Sequence, residues 1–191
     1  MEPRIVTQIM GRRLLLETQP ELFSPAHVDR GTLAMLSRAQ FEPGMRVMDL
    51  GCGCGVVGIL AALICGEENV LLSDVDARAV AVARRNAALN GVPKARVVIS
   101  DGFSQVDEAG FDLILSNPPY QSDFSVAKAF IEKGFNRLKL GGRMLMVTKR
   151  RDWYRNKFSS VFGGVAVHEV DGYFVFEAQR RQTQYARKGR R

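Results

Sequence analysis

Along most of the chain, short runs of apolar and β-branched residues alternate with longer stretches whose apolar positions recur every three or four residues. The runs at 46–50 (RVMDL), 70–74 (VLLSD), 96–100 (RVVIS), 111–116 (FDLILS) and 143–148 (RMLMVT) predict strands. The stretches between them, 56–65, 77–90 and 125–138, predict helices; in the last, Val126, Phe130, Ile131, Phe135 and Leu138 fall on one helical face. Asp76 suits the N-cap of the middle helix and Asn90-Gly91 its stop. Strands that alternate with helices need crossover connections, so the pattern predicts an α/β fold with a mainly parallel sheet covered on both faces. The end of the chain departs from this rhythm: residues 165–170 and 173–179 alternate as strands around Asp171-Gly172, the signal of a tight antiparallel hairpin. Residues 5–10 and 13–18 flank Gly11 as a second, smaller hairpin, and a loop and helix follow over 19–40.

No repeat, low-complexity stretch or linker divides the 191 residues, so the chain reads as one domain: an N-terminal hairpin and helix extension over 1–44, a core over 45–180 and a basic tail over 181–191. The longest apolar run, 56–65, is about half of what a bilayer needs, and the first residues lack a signal-peptide pattern. A cytoplasmic protein with no membrane partner is therefore expected. Of the three cysteines, Cys52 and Cys54 sit too close for an easy bridge, and Cys65, His27 and His168 stand at no ligand-like spacing, so reduced thiols and no metal are expected. The net charge of +7 is concentrated: Arg180, Arg181, Arg187, Lys188, Arg190 and Arg191 all follow the last acidic residue, Glu177. A basic tail with an embedded Tyr185 suits a polyanion such as RNA, phosphate on the cations and a base on the ring.

Two segments carry candidate chemistry. In Asp49-Leu50-Gly51-Cys52-Gly53-Cys54-Gly55, at a strand-to-helix turn, glycines let backbone approach a ligand and the helix start presents free N–H groups, as a nucleotide-like cofactor requires. Asp74 ends the next strand, where a carboxylate can accept ribose hydroxyls. Gly53, Gly55 and Gly58 with Asp74 also match the dinucleotide fingerprint. Asp49, placed to face the cofactor, and the C-terminal hairpin favour a cationic cofactor instead. The second segment, Asn117-Pro118-Pro119-Tyr120, follows a strand at the sheet edge where open α/β folds bind ligands. Paired prolines stiffen the backbone and remove two N–H donors, leaving the Asn117 oxygen and the Pro118 carbonyl as acceptors for an NH₂ group. Those bonds would turn the amine's lone pair toward an electrophilic methyl group, and Tyr120 would stack on a flat acceptor.

With both segments in hand, the chain resembles the class I S-adenosylmethionine-dependent methyltransferases. DLGCGCG is similar to their cofactor loop, NPPY to the signature of their amino-methylating members, and LFSPAHVDRGT, with Phe23, Ser24, Asp29, Gly31 and Thr32, to the segment preceding the core in small-domain enzymes of the ribosomal RNA guanine-N2 type. The resemblance implies a Rossmann-like seven-stranded, mostly parallel sheet with an antiparallel C-terminal hairpin strand. It implies S-adenosyl-L-methionine held by Asp29, Thr32, Asp49, Gly51, Gly53, Gly55, Asp74 and Asp101, with Asp101 at the adenine and Asp29 and Thr32 over the methionine end. Asn117, Pro118, Pro119 and Tyr120 are then the catalytic segment, acting on an exocyclic amine of an RNA base, most simply guanine N2. Lys149, Arg150, Arg151, Arg155 and Lys157 around Trp153 and Tyr154, together with the tail, are expected to hold the RNA. Glutamine methylation of a protein and an RNA-binding assembly factor without turnover remain rival readings, with a dehydrogenase a distant third.

Overall fold

Alternate residues of each central strand go to opposite sides, and this separates the core into two hydrophobic clusters. Val47, Leu72, Leu113, Leu145 and Val175 belong to one, and their neighbours Met48, Leu71, Ile114, Met144 and Phe176 to the other. Each fully buried side chain of this size contributes about 1.5–3 kcal/mol. The computed structural model describes residues 4–19, 27–119 and 124–186. Its elements are β1 (Arg4–Ile9), β2 (Arg12–Glu17), α1 (Arg30–Leu36), β3 (Val47–Leu50), α2 (Val56–Cys65), β4 (Val70–Asp74), α3 (Ala77–Leu89), β5 (Arg96–Ile99), β6 (Phe111–Ser116), α4 (Phe124–Arg137), β7 (Leu138–Thr148), α5 (Arg151–Phe162), β8 (Ala166–Val170) and β9 (Tyr173–Gln179).

Seven strands pair in the order β5-β4-β3-β6-β7-β9-β8, the first five parallel and the last two antiparallel. Helices α1, α2 and α3 cover one face, α4 and α5 the other. The order reverses between β3 and β6, so a crevice opens beyond the carboxyl ends of these two strands. The Ser116 hydroxyl donates to the Leu50 carbonyl at 2.8 Å and ties the two strand ends together. Asp76 caps α3 by accepting the Arg78 N–H, and Gly91, with φ of 76°, follows the Asn90 stop. The β8–β9 turn places Asp171 and Gly172 at φ of 50° and 77°, the left-handed pair of the two-residue hairpin.

One boundary differs from the hydrophobic pattern. The strand expected to start at Arg143 starts at Leu138, because Leu138 pairs with Phe111 across a register shift before regular pairing resumes at Arg143 and Leu113. Leu138, read as the last residue of the helix, and the expected loop at 139–142 are thus part of the strand.

The N-terminal hairpin β1–β2 forms its own two-stranded sheet and lies against α3. Two asparagines one helical turn apart hold it there. Asn86 Oδ1 accepts the Glu17 N–H at 2.7 Å, while its Nδ2 donates to the carbonyls of Glu17 and Cys54 at 2.9 Å each. Asn90 Oδ1 accepts the Leu15 N–H at 2.9 Å and its Nδ2 donates to the Leu15 carbonyl at 2.7 Å. The amides of α3 thereby do for β2 what a neighbouring strand would do. Among the described residues, no helix is long and apolar enough to cross a membrane.

Candidate functional site

The chain leaves β3 and turns back on itself at once. The N–H groups of Gly51 and Cys52 both donate to the Ser73 carbonyl, at 2.9 and 2.8 Å, which folds the loop over the end of β4. Gly51, Gly53 and Gly55 take φ of 76°, 57° and 91°, the left-handed region that favours glycine. Gly55 caps α2 from there; a Cβ on it would stand 3.1–3.4 Å from Ile59, Ala83 and Leu72. Gly58, in the first turn of α2, meets Leu72 so closely that a Cβ would lie 2.3 Å from its Cγ. The helix start is pressed onto the sheet, and its first residues, Val56 and Val57, border the crevice.

Asp49 and Asp74 anchor this loop. Asp49 is buried and its Oδ2 accepts the Gly58 N–H at 2.8 Å. Burial drives its carboxyl up to about 7; the Gly58 hydrogen bond opposes the rise and the Asp74 charge adds to it. Asp74 Oδ2 accepts the Gly53 N–H at 2.9 Å and Oδ1 the Asp76 N–H at 3.0 Å, so both oxygens are held and each keeps a further lone pair. Burial, with the Asp49 and Asp74 charges, pushes the Cys52 thiol well above its ordinary value, and burial raises Cys54 to about 11. Both remain thiols at neutral pH, and among the described residues no group of His, Cys, Asp and Glu is arranged to hold a metal.

A cavity of about 570 Å³ collects these groups. Asp29, Thr32, Asp49, Gly51, Gly53, Asp74 and Asp101 line it, as do Asn117, Pro118 and Pro119. Gly55 does not line it; its role is the turn and the contact of α2 with α3 and β4. Tyr120, Phe23 and Ser24 lie outside the described residues. Ile5, Leu16 and Thr18 of the N-terminal hairpin also line the cavity, as do His27, Val126 and Phe130, and the motifs had pointed to none of these.

Asn117 directly follows β6, beside the glycine loop. Its Nδ2 donates to Asp29 Oδ2 at 2.8 Å and to Thr32 Oγ1 at 3.0 Å, while Asp29 Oδ2 also accepts the Thr32 N–H as the N-cap of α1. The Asn117 Oδ1 atom is buried and has no hydrogen-bond partner among the described residues. A buried acceptor without a donor costs on the order of 1–3 kcal/mol, and a ligand N–H removes that cost.

Because β7 runs parallel to β6, the segment after it emerges at the same edge as Asn117. Lys149 Nζ lies 4.9 Å from the Tyr173 ring centre, Arg150 Cζ 5.0 Å from Phe124 and Arg151 Cζ 6.0 Å from Phe174, which holds three exposed cations over aromatic faces. Arg155 is exposed one turn further along α5. Two expectations are corrected, those for Tyr154 and Lys157, while Tyr185 is 39% exposed. Tyr154 is buried at 5% exposure among Phe124, Trp153 and Phe176, because α5 packs that face on β9, so it cannot stack on a base. Lys157 pairs with Glu132 of α4. Tyr185 packs edge-on against Phe135, its hydroxyl donating to the Glu132 carbonyl at 2.8 Å and accepting from Asn136 at 3.1 Å, so it clamps the C-terminal segment to the body. Trp153 stacks on Phe124 with ring centres 4.3 Å apart.

The family model for the methyltransferase small domain matches residues 13–177. The ribosomal RNA small subunit methyltransferase C of Pseudomonas putida is 32% identical over 166 residues, which cover 84% of this chain and 49% of that protein. The protein YbxB of Bacillus subtilis is 31% identical over 166 residues, covering 83% of this chain and 82% of YbxB. Among solved structures, the T. thermophilus 16S rRNA N2 G1207 methyltransferase RsmC, in complex with AdoMet and guanosine, superposes with a TM-score of 0.85 at 27% identity. That match covers 93% of this chain and 50% of RsmC. The chain thus spans about half the length of the ribosomal RNA methyltransferases that it matches.

Proposed function

Since this chain belongs to the methyltransferase small-domain family, we propose that it transfers the methyl group of S-adenosylmethionine to an exocyclic amine of an RNA base, namely guanine N2 of ribosomal RNA. The observation that carries the reading is Asn117, whose amide hydrogens are both spent on Asp29 and Thr32 and whose oxygen stays buried and unpartnered. A lone acceptor in such a place fits a donor such as an NH₂ group. The residues present also fit the cofactor: a glycine turn at a helix start, Asp74 with a free lone pair on each oxygen for ribose hydroxyls, and a buried Asp49 that a cation would stabilise in its charged form. When bound, S-adenosylmethionine supplies an electrophilic methyl on a positively charged sulfur.

The protein's part is positioning. An amine conjugated to a purine ring is a weak nucleophile because its lone pair is delocalised. Bonds from its two hydrogens to Asn117 Oδ1 and the Pro118 carbonyl turn that lone pair out of conjugation and aim it. In the transfer a carbon–nitrogen bond would form as the carbon–sulfur bond breaks, the bonding pair leaving with sulfur as a neutral thioether and the surplus proton on nitrogen passing to solvent. Asp29 and Thr32 act on Asn117 here, in addition to any contact with the cofactor. The exposed cations Lys149, Arg150, Arg151 and Arg155 at the same edge give the RNA backbone its counter-charge. The relation to guanine-N2 enzymes of ribosomal RNA supports the choice of base.

The test is transfer of labelled methyl from S-adenosylmethionine to RNA and protein fractions of cells lacking this protein, followed by nucleoside digestion. N2-methylguanosine is the expected product. Label confined to protein moves the acceptor to glutamine, and cofactor binding without label in either fraction supports an assembly factor. Either outcome, or NAD binding in place of S-adenosylmethionine binding, overturns the proposal. In the same assay Asn117→Ala is expected to lose about 10²–10³-fold in turnover, as loss of one preorganised polar contact does, with cofactor affinity within about threefold of wild type.

A further inference from the structure

An asparagine amide presents an oxygen on one side and an NH₂ on the other, nearly equal in size, and only its neighbours decide which faces the ligand. At Asn117 the deciding neighbour is a carboxylate. Asp29 Oδ2 lies 2.8 Å from Nδ2, and an ionised carboxylate can only accept, so the opposite orientation would set two oxygens against each other. Thr32 Oγ1 takes the second amide hydrogen at 3.0 Å. Asp29 is itself held, because the same oxygen accepts the Thr32 N–H at 2.8 Å where α1 begins. The start of this helix and the end of β6 are 88 residues apart in sequence, and one carboxylate oxygen joins them.

We infer that Asp29 is a positioning residue that sets the sense of the Asn117 amide, so that the site takes a hydrogen-bond donor and turns away a carbonyl. This inference rests on the methyl-transfer reading for its chemistry. It extends that reading to selectivity: amino edges of bases are admitted, keto edges are not, and the discrimination originates in a residue on a different element from the one that touches the acceptor. Reversal of the amide would leave Nδ2 pointing inward, where an incoming NH₂ meets a donor.

Two substitutions separate the positioning role from capping and from cofactor binding. Asp29→Ser keeps an N-capping oxygen for Thr32 but is too short to reach Asn117. Asp29→Asn keeps an acceptor that can serve both bonds. With S-adenosylmethionine and RNA from cells lacking the protein both saturating, Asp29→Ser is expected to lose about 10–100-fold in kcat, with cofactor Kd within about threefold of wild type, and Asp29→Asn to recover most of the loss. Wild-type kcat in Asp29→Ser, or a defect confined to cofactor Kd, overturns the inference. A second measurement needs no turnover: the Asn117 side-chain ¹⁵N–¹H₂ signals, assigned by their absence in Asn117→Ser. Slow solvent exchange of both hydrogens is expected in wild type and Asp29→Asn, and fast exchange in Asp29→Ser; unchanged exchange overturns the inference. Intact protection in a protein that methylates no RNA defeats the methyl-transfer reading alone.

Discussion

Asp49→Asn separates what burial does to the apo protein from what the same carboxylate does for a cation. The Asp49 carboxyl rises from 3.8 to about 7, chiefly because burial disfavours its charge. A rise of roughly 3 units corresponds to about 4 kcal/mol at 1.36 kcal/mol per unit. The sign follows from proton counting. Below pH 3.8 both folded and unfolded chains hold the proton, and the group contributes nothing. Between 3.8 and about 7 the unfolded chain releases the proton while the folded one keeps it, so stability falls as pH rises, and above 7 the full deficit persists. Asparagine carries no such penalty and can still accept the Gly58 N–H through Oδ1. Without cofactor, Asp49→Asn should therefore match wild type near pH 4 and exceed it by about 2–4 kcal/mol at pH 8, a rise in Tm of about 5–15 °C. The preference for S-adenosylmethionine over its uncharged thioether product should move the other way and fall by about tenfold or more at pH 8, since a buried anion favours the sulfonium. Thermal unfolding across pH 4–8.5 and calorimetric titration with both compounds read the two effects. A wild type more stable than the variant at pH 8, or a stability gap that does not change with pH, refutes the burial argument.

Gly58→Ala places a methyl group 2.3 Å from the Leu72 Cγ and should destabilise by about 1–3 kcal/mol, measured by urea unfolding. Asn86→Ala leaves the Glu17 N–H and the carbonyls of Glu17 and Cys54 without partners and should cost about 2–4 kcal/mol, with weaker cofactor binding by calorimetry because the hairpin lines the cavity. Arg155→Ala should weaken RNA binding evenly across sequences and lower the slope of log K against log salt by about 0.7, while a Tyr185→Ala chain should lose stability and leave that slope unchanged.

Much of the sheet was legible because its signals are local. The five parallel strands, the Asp76 cap and the Asp171-Gly172 turn each depend on neighbouring residues, and the structure has them where the pattern puts them, save for the early start of β7 at Leu138. Asp49, Asp74 and Asn117 share one edge because that follows from a parallel sheet once the strands are known. What could not be read joins distant segments through side chains. The amides of Asn86 and Asn90 on β2, the Ser116 hydroxyl on Leu50 and the Asp29 carboxylate on Asn117 leave no periodic trace. Tyr154 shows the same limit: an aromatic among cations reads as a stacking surface until the packing of its helix is known.

The cavity has one wall that the main sheet does not provide. Ile5, Leu16 and Thr18 close it from the N-terminal hairpin, whose second strand hangs on two helix asparagines. Every strand of the seven-stranded sheet lies between Val47 and Gln179, but the segment before it buries Leu14, Leu16, Met35 and Leu36 in the core of one face, so a fragment starting near residue 45 loses part of that face's cover together with one wall of the ligand chamber. The hairpin and α1 thus serve the core and the chamber at once. Trimming such a chain to the span of its main sheet would forfeit the ligand and bare apolar surface in the same stroke.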